Sequence, residues 1–333
     1  MESILVTGGY GFLGAHLVKS LVNDGHKVVV LDLFKPQEGS DLDWLLKEVQ
    51  DKIHYMKGNI TDLASVIEAV KIHQVTKIVH AAVANDLEIL KNNPLTSMKI
   101  NVEGTVNVLE AARLFGVEKV ILVSSISVYT PVKYEPIDED HPVHSPYEGP
   151  TLLSYSSSKL SAEAFGLHYW STYGMDVVSL RLSGVYGFGM KYPMFVKPLV
   201  ENAVNNKDVH FDSGEHSKRD YTYIKDVVTG IKKALSIPSS QKIFNIATGA
   251  KLVSPSEIAT IIKEIKPSMM VTFGNERNEI EERSASTRGV LSVEAAKKQL
   301  GFNPQYSINQ GVMDYFEQYR EYATQKKQKS VVE

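Results

Sequence analysis

The 333-residue chain contains no cysteine. That absence excludes disulfide staples, thiolate nucleophiles and cysteine-held zinc together, and it fits a reducing, cytoplasmic setting. No apolar run approaches the roughly 18 residues that a membrane-spanning helix requires. The opening Met1-Glu2-Ser3 has no basic stretch ahead of its short apolar run, so a secretory leader is not expected. Positive charge is not in surplus either. The 36 Lys and Arg face 39 Asp and Glu, a net charge of −3, and this argues against a nucleic-acid or anionic-membrane binder. The short basic run at 325–329 reads as a solvated tail.

What is present is an ordinary globular composition, 43% hydrophobic and 23% charged, enough to bury a sizeable core. Brief runs rich in β-branched residues at 4–6, 28–31, 53–56, 77–80 and 120–123 predict strands buried on both faces. Stretches 12–23, 63–72 and 101–115 carry apolar residues at helical spacing between them. Strand and helix alternating in this way predicts an α/β fold, a doubly wound parallel sheet (Rossmann) with a smaller mixed α/β C-terminal part. Residues 1–183 are expected to form the dinucleotide-binding domain, rejoined by 220–248. Segments 184–219 and 249–320 would make the substrate-binding part, and 321–333 a frayed tail. A proline-rich loop, 130–150, precedes a helix over 155–173. A loop of that length in a compact domain is usually functional or disordered.

Strand 1 runs into Thr7-Gly8-Gly9-Tyr10-Gly11-Phe12-Leu13-Gly14, inside which a helix begins. Gly8 permits the tight turn, Gly11 lets backbone approach a pyrophosphate, and Gly14 lets helix pack on sheet. The phosphates would sit against the helix N-terminus. Asp32 ends the next strand, where a carboxylate accepts both ribose hydroxyls and repels a 2′-phosphate. The cofactor is therefore read as NAD rather than NADP, with Lys35 close by as the one contrary feature.

A hydride donor needs a proton donor beside it. Tyrosine with lysine four residues on puts both on one helix face, where the ammonium lowers the phenol pKa. The pattern occurs four times. Tyr129–Lys133 contains Pro131, Tyr221–Lys225 lies in an alternating β-like run, and Tyr322–Lys326 falls in the expected tail. Tyr155–Lys159 opens an amphipathic helix. Ser124 and Ser125 end a buried strand at the carboxyl edge of the sheet, where such folds bind ligands; ending the strand is the plainer role for them. His141 and His144 could be metal ligands, but no third is evident and solvated loop histidines are the better reading, so no metal is expected. Phe165, Tyr169 and Tyr173 read as helix packing.

In this order the pieces resemble the extended short-chain dehydrogenase/reductase family, its NAD-dependent sugar epimerase/dehydratase branch. Those pieces are the glycine turn, Val79-His80-Ala81-Ala82, Asn101-Val102-Glu103-Gly104-Thr105, Ser124-to-Tyr129, Tyr155-to-Lys159, Arg181-to-Gly187, Arg219-to-Asp226 and Leu300-Gly301-Phe302. The resemblance implies Ser125, Tyr155 and Lys159 as catalytic, with Lys159 also holding the nicotinamide ribose. It implies that Phe12 and Leu13 join the glycines at the cofactor, and that Asn59 and Ile60 meet adenine. Ala81, Ala82, Val83 and Asn101 would line the cofactor path. Ser125, Ser127, Gly184, Arg219 and Arg283 would face substrate. A homodimer through the helices beginning near 101 and 156 is also implied. Gly184 departs from the pattern, standing where an asparagine often contacts the sugar. For Arg219, a diphosphate contact and a salt bridge to Asp220 or Asp226 are equally open. Three readings remain: an epimerase of a nucleotide-diphosphate sugar, a dehydrogenase of a free sugar, sugar acid or hydroxy acid, and a non-catalytic dinucleotide sensor. The intact Ser125, Tyr155 and Lys159 weigh against the last.

Overall fold

Alternating β-branched strands and amphipathic helices assemble in the computed structural model into one parallel sheet clad on both faces. The structure describes residues 2–129, 131–143, 153–275, 285 and 288–332. In chain order the first half comprises β1 (Ser3–Thr7), α1 (Phe12–Asn23), β2 (Lys27–Asp32), α2 (Asp41–Leu46), β3 (Ile53–Lys57), α3 (Leu63–His73), β4 (Lys77–His80), α4 (Leu87–Asn92), α5 (Pro94–Met98), α6 (Gly104–Leu114) and β5 (Lys119–Ser125). The second half comprises α7 (Leu153–Tyr173), β6 (Asp176–Leu182), β7 (Gly184–Tyr186), α8 (Val196–Val204), β8 (Val209–Phe211), β9 (Tyr221–Tyr223), α9 (Ile224–Ser236), β10 (Ile243–Ile246), α10 (Pro255–Ile265), β11 (Val271–Phe273), α11 (Glu294–Leu300) and α12 (Ile308–Val332).

The seven-stranded sheet has the order β10-β6-β5-β4-β1-β2-β3, parallel throughout. Strand order reverses between β1 and β4, and open sheets of this kind bind ligands at the carboxyl ends beside that reversal. Residues such as Leu5, Val29, Ile78, Val120 and Val178 are fully buried, as expected of strands covered on both faces. Strand β10 pairs with β6, so the segment around 243–246 does rejoin the sheet. Two small parallel pairs, β7 with β9 and β8 with β11, lie outside it. No helix among the described residues is long and apolar enough to cross a membrane.

Three local expectations are corrected. Residues 99–103 form a π turn rather than α-helix. The expected tail is the end of α12: Tyr322 is 9% exposed, its hydroxyl donates to the Gly39 carbonyl at 3.1 Å, and its ring meets Phe188 and Trp44. The aromatic stripe of α7 is split. Tyr169 is buried and bonds Glu110, whereas Phe165 and Tyr173 are exposed.

Candidate active site

Helix α3 has an Asp62 cap and α10 a full capping box. Helix α1 has no side-chain cap and no acid in its first turn. Its first N–H groups, from Phe12, Leu13 and Gly14, have no intrahelical acceptor and point out of the carboxyl edge of β1. Gly8 adopts φ +66°, a left-handed conformation, and a Cβ there would stand 2.7 Å from Ala82 Cα. A Cβ on Gly14 would fall on the Gly8 carbonyl oxygen. The turn therefore accepts no side chains at these two positions, and its open N–H groups fit an anionic pyrophosphate.

At the end of β2, Asp32 accepts from Tyr10 N at 3.0 Å and Leu33 N at 2.8 Å. With the Phe34 N–H these backbone donors fix the group, and a carboxylate's roughly four acceptor sites still leave room for a ribose hydroxyl. Burial raises its pKa above the usual carboxylate value, partly offset by those backbone donors. Lys35 lies over the Tyr55 ring at 5.1 Å. Asn59 is exposed and Ile60 buried; the Ile60 carbonyl accepts from Asn107.

On the β4 side, Ala81 N donates to the Thr7 carbonyl and Ala82 N to the Thr7 hydroxyl. The same hydroxyl meets His80 Nδ1 at 2.7 Å, and His80 Nε2 meets Thr105 Oγ1 at 3.0 Å. Burial holds His80 neutral, its pKa pushed down to about 3. Asn101, in the π turn, accepts from Ala84 N at 2.7 Å and donates to Ala84 O and Ser158 Oγ at 3.0 and 3.1 Å. Its amide is spent on protein, and it shapes the 81–84 path through the backbone.

Across from the glycine turn, β5 and α7 bring three side chains together. Burial pushes the Tyr155 phenol up to about 12, while its hydrogen bond with the Ser125 side chain acts to lower it. Lys159 Nζ donates to the Val123 carbonyl at 2.6 Å and lies 5.8 Å from the centre of the Tyr155 ring. Burial also brings the lysine down to about 8, with Glu163 opposing. The ammonium is turned toward Val123, and the group that lowers the phenol is Ser125. Ser127 sits in the turn after β5, its hydroxyl buried without a partner among the described residues.

Gly184 opens β7, two residues beyond Leu182, whose register partner is Ser125. A Cβ on Gly184 would stand 2.6 Å from the Asp220 carbonyl oxygen. Arg219 bridges Val253 through its backbone. The two acids offered as its neighbours are engaged elsewhere: Asp220 accepts from Ser183, Thr222 and Thr248, and Asp226 from Gln305 N and Tyr306 N. Arg283 and His144 lie outside the described residues. His141, expected to be solvated, is buried; its Nε2 accepts from Lys133 N and its ring packs on Tyr129 and Tyr134. The Tyr322–Lys326 pair does lie on helix, with Lys326 donating to Tyr322 at 3.2 Å, but it packs against Trp44 beside α2.

Sequence reasoning passed over Glu163 and did not give Arg181 a role. The two form a buried ion pair with Arg181 Nη2 to Glu163 Oε2 at 2.8 Å. A glutamate four residues after a lysine on a helix resembles any surface pair. The signal available was an arginine next to the end of a strand whose other residues are mostly apolar, which demands a partner.

Known proteins of this architecture extend the picture. A UDP-glucuronate 4-epimerase of Thermodesulfobacterium geofontis is 26% identical over 316 residues, 94% of each chain. The solved UDP-glucose 4-epimerase of Thermotoga maritima, bound to UDP-glucose, superposes with a TM-score of 0.82 at 26% identity, covering 96% of this chain and 99% of that one. That of Thermus thermophilus, in complex with NAD, gives 0.78 at 25%, with 96% and 99% covered. Residues 4–247 match the model of the NAD dependent epimerase/dehydratase family, and with the glycine turn, Asp32 and the Ser125–Tyr155–Lys159 set at one sheet edge, the chain belongs to that family.

Proposed function

We propose that this chain is an NAD-dependent epimerase of a nucleotide-diphosphate sugar, acting through a transient keto intermediate. The observation that carries the reading is the meeting of Ser125, Tyr155 and Lys159 across the sheet edge from the uncapped helix α1. NAD, when bound, accepts a hydride from the carbinol carbon and returns it. Phe12, Leu13 and Gly14 N–H groups hold its pyrophosphate, and Asp32 holds the adenosine ribose and disfavours a 2′-phosphate. The Tyr155 tyrosinate would take the hydroxyl proton as the C–H bond breaks, becoming the phenol, and the phenol would return it when the ketone, presenting its other face, is reduced. Ser125 orients the oxygen, and Lys159, charged below about pH 8, steadies the tyrosinate. Arg219 and Arg283 are assigned to the diphosphate and Ser127 to the sugar. A homodimer through α6 and α7 is supported by Met98, Leu114, Phe165 and Tyr173, exposed apolar side chains on or next to those helices.

One observation favours a second reading, an NAD-dependent dehydrogenase of a free sugar, sugar acid or hydroxy acid. Gly184 can carry no side chain without displacing Asp220, so the sugar contact made by an asparagine in the resemblance is missing. Native mass spectrometry of the purified chain, then incubation with NAD and a panel of UDP-, GDP- and dTDP-sugars, separates the two. Retained NAD and an interconverted sugar nucleotide with no net NADH support the epimerase. Empty sites and NADH formed only from free sugars or hydroxy acids support the dehydrogenase. In either case Tyr155→Phe is expected to lower the rate by at least ~10²-fold while NAD still binds; a near-wild-type rate refutes the assignment.

A further inference from the structure

Most charged side chains outside the candidate site are at least partly exposed. Lys119, Asp220 and Asp226 are buried as well, but among the ion pairs of the described residues Glu163–Arg181 is the one with both partners buried, each side chain 3% exposed. Glu163 lies one helical turn beyond Lys159 and two beyond Tyr155. Its Oε1 accepts from Ser124 Oγ at 2.6 Å and Arg181 Nε at 3.0 Å, and its Oε2 from Arg181 Nη2 at 2.8 Å. Three consecutive residues of β5 are thus each engaged by a different side chain of α7. Lys159 takes the Val123 carbonyl, Glu163 the Ser124 hydroxyl and Tyr155 the Ser125 hydroxyl. A slip of the helix along the strand breaks all three contacts together.

We propose that Glu163 is a positioning residue for the reaction: gripped by Arg181 and bonded to Ser124, it sets helix α7 on strand β5 so that Tyr155 and Lys159 meet Ser125 and Val123. A stability role alone explains the pair poorly, because apolar residues of similar volume hold a core as well as a buried ion pair does. Arg181 also reaches the Glu139 carbonyl at 3.2 Å and covers the Tyr129 ring at 4.8 Å. The carboxylate that sets α7 is therefore tied to the segment 131–143 as well. Facing Lys159 are Tyr155 and Glu163 from its own helix, the Val123 carbonyl from β5 and the neutral His80 from β4. Arg181, on β6, stands behind Glu163. Among these Glu163 is the anion, and it supports the lysine's charge against burial.

The inference rests on the reading of Tyr155 and Lys159 as the acid/base pair. Its test therefore includes a measurement that needs no substrate. In the full chain carrying ε-13C lysine, with Lys159→Arg to assign the signal, E163Q is expected to lower the Lys159 titration midpoint by ~1 pH unit, the size of one nearby charge. With the substrate found by the panel, kcat falls ~10²-fold, as for a misplacement of about 1 Å, and KM changes little. E163L/R181M removes both charges and guards against a variant that fails to fold. It is expected to regain wild-type thermal stability yet keep the low kcat and the shifted titration. An unshifted Lys159 in E163Q, or wild-type kcat and titration in E163L/R181M, overturns the proposal. An active Tyr155→Phe alongside a shifted Lys159 would instead remove the acid/base reading and leave the linkage standing.

Discussion

Substituting Gly14 by alanine asks how tightly the turn and helix α1 are fitted. The new Cβ would land on the Gly8 carbonyl oxygen and 2.7 Å from Gly9 Cα. Both are backbone atoms, so no rotamer relieves the clash, and helix and turn must separate by ~1 Å to reach ordinary contact. Helix α1 cannot easily retreat, because Ala15, Leu17, Val18 and Leu21 are at most 1% exposed in the core. Overpacking of this kind costs about 1–3 kcal/mol, a fall of ~5 °C in Tm for a chain of this size. The same displacement moves the Phe12, Leu13 and Gly14 N–H groups away from a bound pyrophosphate. Losing ~1.4 kcal/mol there weakens NAD tenfold. Gly11→Ala makes a graded comparison, since its Cβ would lie 3.3 Å from the same Gly8 oxygen. It is expected to fold nearly as well and still bind NAD poorly. Thermal melts across an NAD titration read both quantities. A Gly14→Ala protein with wild-type Tm and wild-type NAD affinity refutes the argument.

Two further outcomes follow from the same geometry. Asp32→Ala is expected to weaken NAD more than NADP in a binding titration, and equal losses remove the ground for preferring NAD. Acid stability turns on two buried histidines, because burial lowers His16 to about 4 and His80 to about 3. As pH falls below about 6.5 the unfolded chain protonates both while the native chain does not, so stability is lost on acidification and is complete above that value. Urea unfolding is expected to show a loss of ~2 kcal/mol between pH 6 and pH 5. His80→Gln should roughly halve it, and an unchanged slope would mean that His80 is not held neutral.

The strands were legible because burial on both faces demands runs such as Val28-Val29-Val30-Leu31, and few other arrangements tolerate them. Helix α1 was legible to the residue because glycines fix its start and Asp24-Gly25 its end. The π turn was not, because its neighbours are tertiary: Asn101 reaches Ala84 and Ser158, which no local pattern announces. The order of α12 past Glu321 depends on Gly39, Trp44 and Phe188, all remote in sequence. At the site, the tyrosine and lysine could be chosen among four pairs by element type alone. The orientation of the ammonium could not, because it is decided by a carbonyl on another strand. Glu163 was passed over for a related reason: only the fold reveals that its side of α7 faces Arg181 rather than water.

The contact between α12 and the first half of the chain also bears on how the protein is made. Trp44 Nε1 donates to Gln325 Oε1 across a separation of 281 residues. At ~5–20 residues per second of synthesis, Trp44 emerges from the ribosome ~15–55 seconds before that acceptor does. During that interval α2 lacks the cover that Tyr322 and Gln325 later supply, and the nucleotide-binding half stands with one flank open. Synthesis past residue 325 closes that flank, so a nascent chain stalled before residue 322 leaves the ring of Trp44 without that cover and open to chaperone capture.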